Sequence, residues 1–546
     1  MATGYRNPII PGFNPDPTII CVGDDYFLAT STFEYFPGVP IYHSKDLTSW
    51  ELIGHALNRP TQLTMRSPEA GGGIYAPTLR HHNGRFYMIT TCNHRMSQRA
   101  PHETRPGVRG FFVWTDDIFD ETKWSEPVFM DLLGIDQDLF FDDDGQVYQA
   151  WAAHRPNVPL FPSPGVFNLS VYGAKIDIAT GDTLSEPVLL RFNPATGNQV
   201  SEGPHIFKRG NYYYLITADG GTEVEHQEWV QRSDVSPLGP WEVGPKGVNP
   251  MVFNDDDPYV QQTGHMDMVE GHDGRWWAVF LAVRNHNGNL SQLGRETFLA
   301  PVEWVNDWPI VNGGKRITVD GDPSVGLARI SPAQSWSYDF TADTNLTKEG
   351  FYNLRTPQKA FHSLVSHPGS LAIRGGPFRL EQDESVTMLL KKQTAFTGEW
   401  TADVAFQPLA ESEEAGVTVW WSKWCYASFT LRGKAPVDGS PVPTELVFRR
   451  PDDGDGFTET VFPSSGPAVS VRVVAARDGY TFYATQEGGK EIQVGTIEAT
   501  ALVRTRPWDS PFTGTFLGLF AQGKHGHGCR SPAVFSKFTW NSNGDE

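Results

Sequence analysis

This chain of 546 residues has little cysteine: four residues, at Cys21, Cys92, Cys425 and Cys529, too few for a disulfide scaffold. It is also short of positive charge. Its 44 Lys and Arg stand against 64 Asp and Glu, for a formal net charge of −20. Nucleic acids and anionic membrane surfaces bind basic patches, so neither is expected as a partner. No segment approaches the roughly 20 apolar residues that a transmembrane helix needs. The start, Met1-Ala2-Thr3-Gly4-Tyr5-Arg6, lacks the features of a signal peptide. Helical periodicity is missing as well. In its place, 54 Gly and 41 Pro punctuate short apolar runs of strand character.

What is present is a repeat. Glycine followed by aromatic or bulky residues recurs at Gly23, Gly84, Gly145, Gly210 and Gly274, at spacings of 61, 61, 65 and 64 residues. The segments read Gly23-Asp24-Asp25-Tyr26, Gly84-Arg85-Phe86-Tyr87, Gly145-Gln146-Val147-Tyr148, Gly210-Asn211-Tyr212-Tyr213 and Gly274-Arg275-Trp276-Trp277. A fixed period of short strands with turn residues between them predicts an all-β, five-bladed β-propeller.

In a propeller the first strand of each blade lines the central channel. Its start lies seven to nine residues before each glycine, at Asp16, Tyr75, Asp136, Glu202 and His265. Three carboxylates, a phenol and an imidazole should thus converge at one mouth. Burial of unpaired carboxylates is costly, so such a ring reads as an active site rather than a structural core. Glycoside hydrolysis needs this set: one carboxylic acid protonates the leaving oxygen, and a carboxylate activates water or attacks directly. A third acid raises the first one's pKa by like-charge repulsion.

The segments Asn14-Pro15-Asp16-Pro17, Asp136-Gln137-Asp138-Leu139-Phe140, Ser201-Glu202-Gly203-Pro204-His205 and Leu293-Gly294-Arg295-Glu296-Thr297-Phe298 resemble family 43 glycoside hydrolases. The resemblance covers essentially the whole chain. It implies an inverting enzyme of the β-xylosidase and α-L-arabinofuranosidase type, a propeller followed by a C-terminal β-sandwich, and no cofactor required for the chemistry. By position it implies Asp16 as general base, Glu202 as general acid and Asp136 as the carboxylate that tunes the acid. It places Phe33, Tyr75, His265 and Arg295 against the sugar, with His265 beside a structural calcium ion in the channel. Two residues depart from many xylosidase relatives, Tyr75 in place of Trp and Met266 in place of a small residue, and both are expected where the sugar is gripped. Asp138 rivals Asp136, since residues two apart share a strand face. The family register favours Asp136.

The propeller is expected over residues 1–325, a surface linker from Asn312 to about Pro332, and the sandwich over residues 336–546. Strands in the latter are read at Val417–Trp420, Val469–Val473 and Tyr480–Tyr483. The sandwich either supports the propeller or lends a loop to the pocket rim. Long connections carrying Arg95, Arg99, Arg105 and Arg109, the stretch from His154 to Phe167, and a loop with Glu223 and Glu225 should overhang the pocket. Such a rim suits an α-L-arabinofuranosidase that accommodates an arabinoxylan backbone. The absence of an acidic segment at Ala533-Val534-Phe535-Ser536 points the same way. An exo-acting β-xylosidase on xylo-oligosaccharides and a non-catalytic carbohydrate-binding protein are the rival readings. Sequons at Asn168, Asn289 and Asn345 favour an extracellular, secreted enzyme whose signal has been removed.

Overall fold

The computed structural model describes residues 4–544 apart from 63, 66–68, 95–106, 157, 159–167, 194–195, 197–198, 287–290, 330–334, 437–441, 455, 505–511 and 525. Each repeated glycine sits in a tight turn between two antiparallel strands. These are Thr18–Val22 with Asp25–Ala29, Thr78–His82 with Arg85–His94, Ile135–Phe141 with Val147–Ala153, Gln199–Arg209 with Tyr212–Asp219, and Val260–Glu270 with Trp276–Arg284. All five glycines have positive φ, from 58° to 83°. A Cβ added at any of them would meet nothing within 4 Å. Backbone conformation rather than crowding therefore selects glycine here.

Each hairpin continues outward into further antiparallel strands. The first strand of each hairpin touches the first strand of the next, and Val260–Glu270 returns to Thr18–Val22. This closed radial array is the expected β-propeller. Its ends are fastened near the start of the chain, where Ile10 pairs with Thr297 and Arg6 with Asp320. There the Tyr5 hydroxyl and the Asn7 amide both donate to the Leu299 carbonyl, at 2.8 and 3.0 Å.

Just inside the mouth, a buried charge network ties the first strands together. Arg80 pairs with Asp138 at 2.7 Å and with Asp267 at 2.9 Å. Thr18 Oγ1 donates to Asp267 at 2.7 Å, and the Ile206 N–H donates to Asp138 at 2.7 Å. Burial alone would raise the Asp267 carboxyl, but the Arg80 charge, His205 and the Thr18 hydroxyl hold it at about 2. Its folded pKa lies below the ordinary value of about 4, so its stabilisation is complete above that pH and is lost as pH falls towards 2. Arg80→Met would strand two buried carboxylates. It should cost about 3–5 kcal/mol in denaturant unfolding, and a loss below about 1 kcal/mol would contradict this assignment.

A short linker leads to two facing sheets that enclose a second core, which includes Trp400, Val417, Phe429, Phe482 and Phe538. The strands Glu414–Ser422, Ala468–Ala476 and Gly479–Thr485 contain the three segments read from sequence. The propeller strand Tyr35–Phe36 pairs with Phe351–Leu354 and so joins one sandwich sheet at its edge. All four cysteines are free thiols. Of the three sequons, Asn168 is fully buried in a strand and cannot carry a glycan in this fold, Asn345 is exposed, and Asn289 lies outside the described residues.

Candidate active site

Three of the first strands are interrupted at the same place. Their ladders slip between Ile135 and Asp138, between Glu202 and His205, and between Gly264 and Asp267. The backbone there is left-handed: φ is 56° at Asp136, 54° at Gly203 and 54° at His265, and Asp16 ahead of the first strand has 54°. Such bulges re-aim a side chain, and a non-glycine residue held at positive φ costs of order 1–3 kcal/mol. Repeated around the ring, they turn the polar residues into the mouth. They also correct one expectation, because the period of two does not run through a bulge. Asp138 faces Arg80 in the buried network while Asp136 faces the pocket.

The pocket encloses about 380 Å³ out to its open mouth and is lined by all seven expected residues: Asp16, Phe33, Tyr75, Asp136, Glu202, His265 and Arg295. Thr222 and Phe512 also line it. Thr222 comes from the loop carrying Glu223 and Glu225; Arg95, Arg99, Arg105 and most of the stretch from His154 to Phe167 lie outside the described residues. Phe512 comes from the sandwich, which therefore contributes to the wall. Its ring lies 5.7 Å from Phe33, which is 5.0 Å from Tyr75, and the Arg295 guanidinium sits 5.3 Å from Phe33 and 5.4 Å from Phe512. Met266 corrects a second expectation. It is fully buried in an apolar cluster with Tyr214 and Phe280 and does not reach the pocket.

The three carboxylates sit in different electrostatic surroundings. Asp16 accepts from the Ser31 hydroxyl at 2.5 Å and from Arg295 Nη1 at 3.1 Å, and His265 Nδ1 lies 3.6 Å away. Burial by itself would raise its pKa, but Arg295, His265 and Ser31 together hold it below the usual carboxylate range. Glu202 is pushed well above its ordinary value by loss of water, then by the charges of Asp136 and Asp16, with Arg295 offsetting only part. Asp136 is raised by burial and by Asp16, against His265 and the Gly203 N–H, which donates to its Oδ2 at 3.0 Å. Of the three carboxyls, Asp16 is thus biased towards the ionised form and Glu202 most strongly towards the protonated form.

Arg295 uses Nη1 on Asp16 and on Thr222 Oγ1 at 3.0 Å, while its buried Nη2 has no hydrogen-bond partner among the described residues. That donor is free for a ligand oxygen. Calcium takes six to eight oxygen ligands. Among the described residues no group of three or more His, Cys, Asp or Glu is arranged to hold a metal.

Similarity to known proteins agrees with this geometry. A family model described as glycosyl hydrolases family 43 matches residues 5–309, and one described as beta xylosidase C-terminal Concanavalin A-like domain matches residues 337–541. A non-reducing end alpha-L-arabinofuranosidase of Bacteroides ovatus is 37% identical, over 98% of this chain and 94% of that protein. A xylan 1,3-beta-xylosidase of a Vibrio species is 31% identical, over 95% and 96%. The crystal structure of a xylan beta-1,4-xylosidase from Bacillus halodurans is 29% identical, covers 98% of this chain and 100% of its own, and superposes with a TM-score of 0.86.

Proposed function

The chain belongs to family 43 of the glycosyl hydrolases, and on that premise we propose that it is an inverting α-L-arabinofuranosidase that removes arabinose side chains from arabinoxylan. The observation that carries the reading is the opposed bias of two carboxyls in one pocket: Arg295, His265 and Ser31 hold Asp16 below the usual carboxylate range, and burial with Asp136 and Asp16 pushes Glu202 well above it. Asp16 takes a proton from a water as that water attacks the anomeric carbon. Glu202 gives its proton to the departing glycosidic oxygen. Asp136, fixed by the Gly203 N–H, adds its charge to the burial that raises Glu202 and so favours the proton there. Arg295 orients Asp16 with one nitrogen and offers the other to a sugar hydroxyl.

Phe33, Tyr75 and Phe512 supply the apolar walls that a sugar ring packs against. Phe512→Ala should raise KM about fivefold, for a lost contact worth about 1 kcal/mol, and leave kcat within about twofold. A fall in kcat at unchanged KM would contradict a role in sugar binding. The name of the Bacteroides ovatus relative supports the choice of arabinose, whereas the xylosidase names of the other two favour a second reading, an exo-acting β-xylosidase.

Quantifying free sugars from arabinoxylan and from linear xylo-oligosaccharides separates these readings. Arabinose from the former and no xylose from the latter is expected. Xylose alone would establish the β-xylosidase. Binding without release of either sugar would leave a carbohydrate-binding protein.

A further inference from the structure

The sandwich reaches the catalytic machinery through a second residue besides Phe512. Lys392 ends the strand Met388–Lys392 and is 8% exposed. Its ammonium lies 5.5 Å from the Phe13 ring and 5.0 Å from the Tyr352 ring, and it donates to Asn14 Oδ1 at 2.8 Å. No ion pair joins it to a carboxylate among the described residues. Burial, with Lys391 beside it, pushes its pKa down to about 7. An isolated buried charge of this kind costs stability, so its value to the protein lies in what it holds.

What it holds is Asn14, and every polar group of Asn14 is engaged. Its N–H donates to the Arg295 carbonyl at 3.0 Å, and its Nδ2 to the Pro11 carbonyl at 3.0 Å. Its carbonyl accepts from Thr297 Oγ1 at 2.7 Å. Its Oδ1 accepts from the Tyr42 hydroxyl at 2.8 Å and from Thr30 at 3.4 Å, besides Lys392. The turn before it seats on the sandwich backbone: Gly12 has φ of 76°, and a Cβ there would come within 2.4 Å of the Gln393 carbonyl. Asp16 follows two residues later in a left-handed conformation.

We propose that Lys392 is a positioning residue. From the sandwich it clamps Asn14, and through Asn14 it holds both the Asp16 carboxylate and the Arg295 backbone where the reaction needs them. This rests on the reading of Asp16 as the general base.

The test uses the full chain and 4-nitrophenyl α-L-arabinofuranoside. Lys392→Met keeps the shape and removes the ammonium. It should lower kcat about tenfold, as expected for slight misplacement of a reacting group, leave KM within about twofold, and leave the unfolding temperature unchanged or higher. Sodium azide should restore part of that kcat. Azide attacks the anomeric carbon without needing a base as the bond to the leaving oxygen breaks, giving a glycosyl azide and 4-nitrophenolate.

Tyr42→Phe removes the other short donor to Oδ1 and should lower kcat in the same sense. It carries the same test should Lys392→Met not fold. Unchanged kcat in these variants, or a loss that azide does not relieve, overturns the inference. Asp16→Ala, assayed alongside, separates the two readings. If it is fully active, the assignment of Asp16 falls and this inference with it. If it is inactive while Lys392→Met is fully active, this inference alone falls.

Discussion

Glu202→Gln should lower kcat on arabinoxylan by about 10²–10⁴-fold, the usual contribution of a positioned general acid. Glutamine keeps the shape of the side chain and has no proton to give at the leaving oxygen. Two further signatures identify the acid. On a 4-nitrophenyl glycoside, whose leaving group departs without protonation, the loss should shrink markedly. The alkaline limb of kcat/KM should also disappear. The wild-type group is protonated when active and its pKa is raised by burial and by Asp136 and Asp16, so activity falls as pH rises through that value. A loss equal on both substrates, with the alkaline limb intact, would assign the acid elsewhere.

Asp16→Asn should cost a similar 10²–10⁴-fold, but with the opposite substrate pattern. Water must still be activated however good the leaving group is, so the loss should be as large on the nitrophenyl glycoside as on the polymer. Asp16 is active as the carboxylate, and Arg295, His265 and Ser31 hold its pKa below the usual range despite burial. The wild-type acidic limb should therefore lie below that of an ordinary carboxyl, and the variant should lose it. A loss confined to the polymer would exchange the two roles. Steady-state kinetics on both substrates across pH measures all of this.

The positions of the ring were legible because glycine recurs for a backbone reason. At Gly23, Gly84, Gly145, Gly210 and Gly274 only φ matters, so the period survives while side chains vary. Counting back from them reached Asp16, Tyr75, Asp136, Glu202 and His265, and all five line one pocket.

What was not legible depends on geometry that no local pattern encodes. The bulge after Ile135 separates Asp136 from Asp138, although alternation puts them on one face. Met266 adjoins His265 in sequence and still points into the core. Ser31, Thr222 and Phe512 reach the site from loops without a signal of their own, and Phe512 crosses from the other domain. The segment Ala533-Val534-Phe535-Ser536 lies in a sandwich strand and does not line the pocket, so its lack of acid says nothing about the sugar.

The account centres on Asp16 activating a water while Glu202 protonates the leaving oxygen, and the configuration of the first product tests that directly. Proton NMR of arabinoxylan recorded from the first minutes of digestion should show β-arabinofuranose appearing before mutarotation, as attack by water from the face opposite an α-linked leaving group requires. Initial release of the α-anomer would mean a covalent intermediate, with a carboxylate acting as nucleophile rather than base, and would contradict the account.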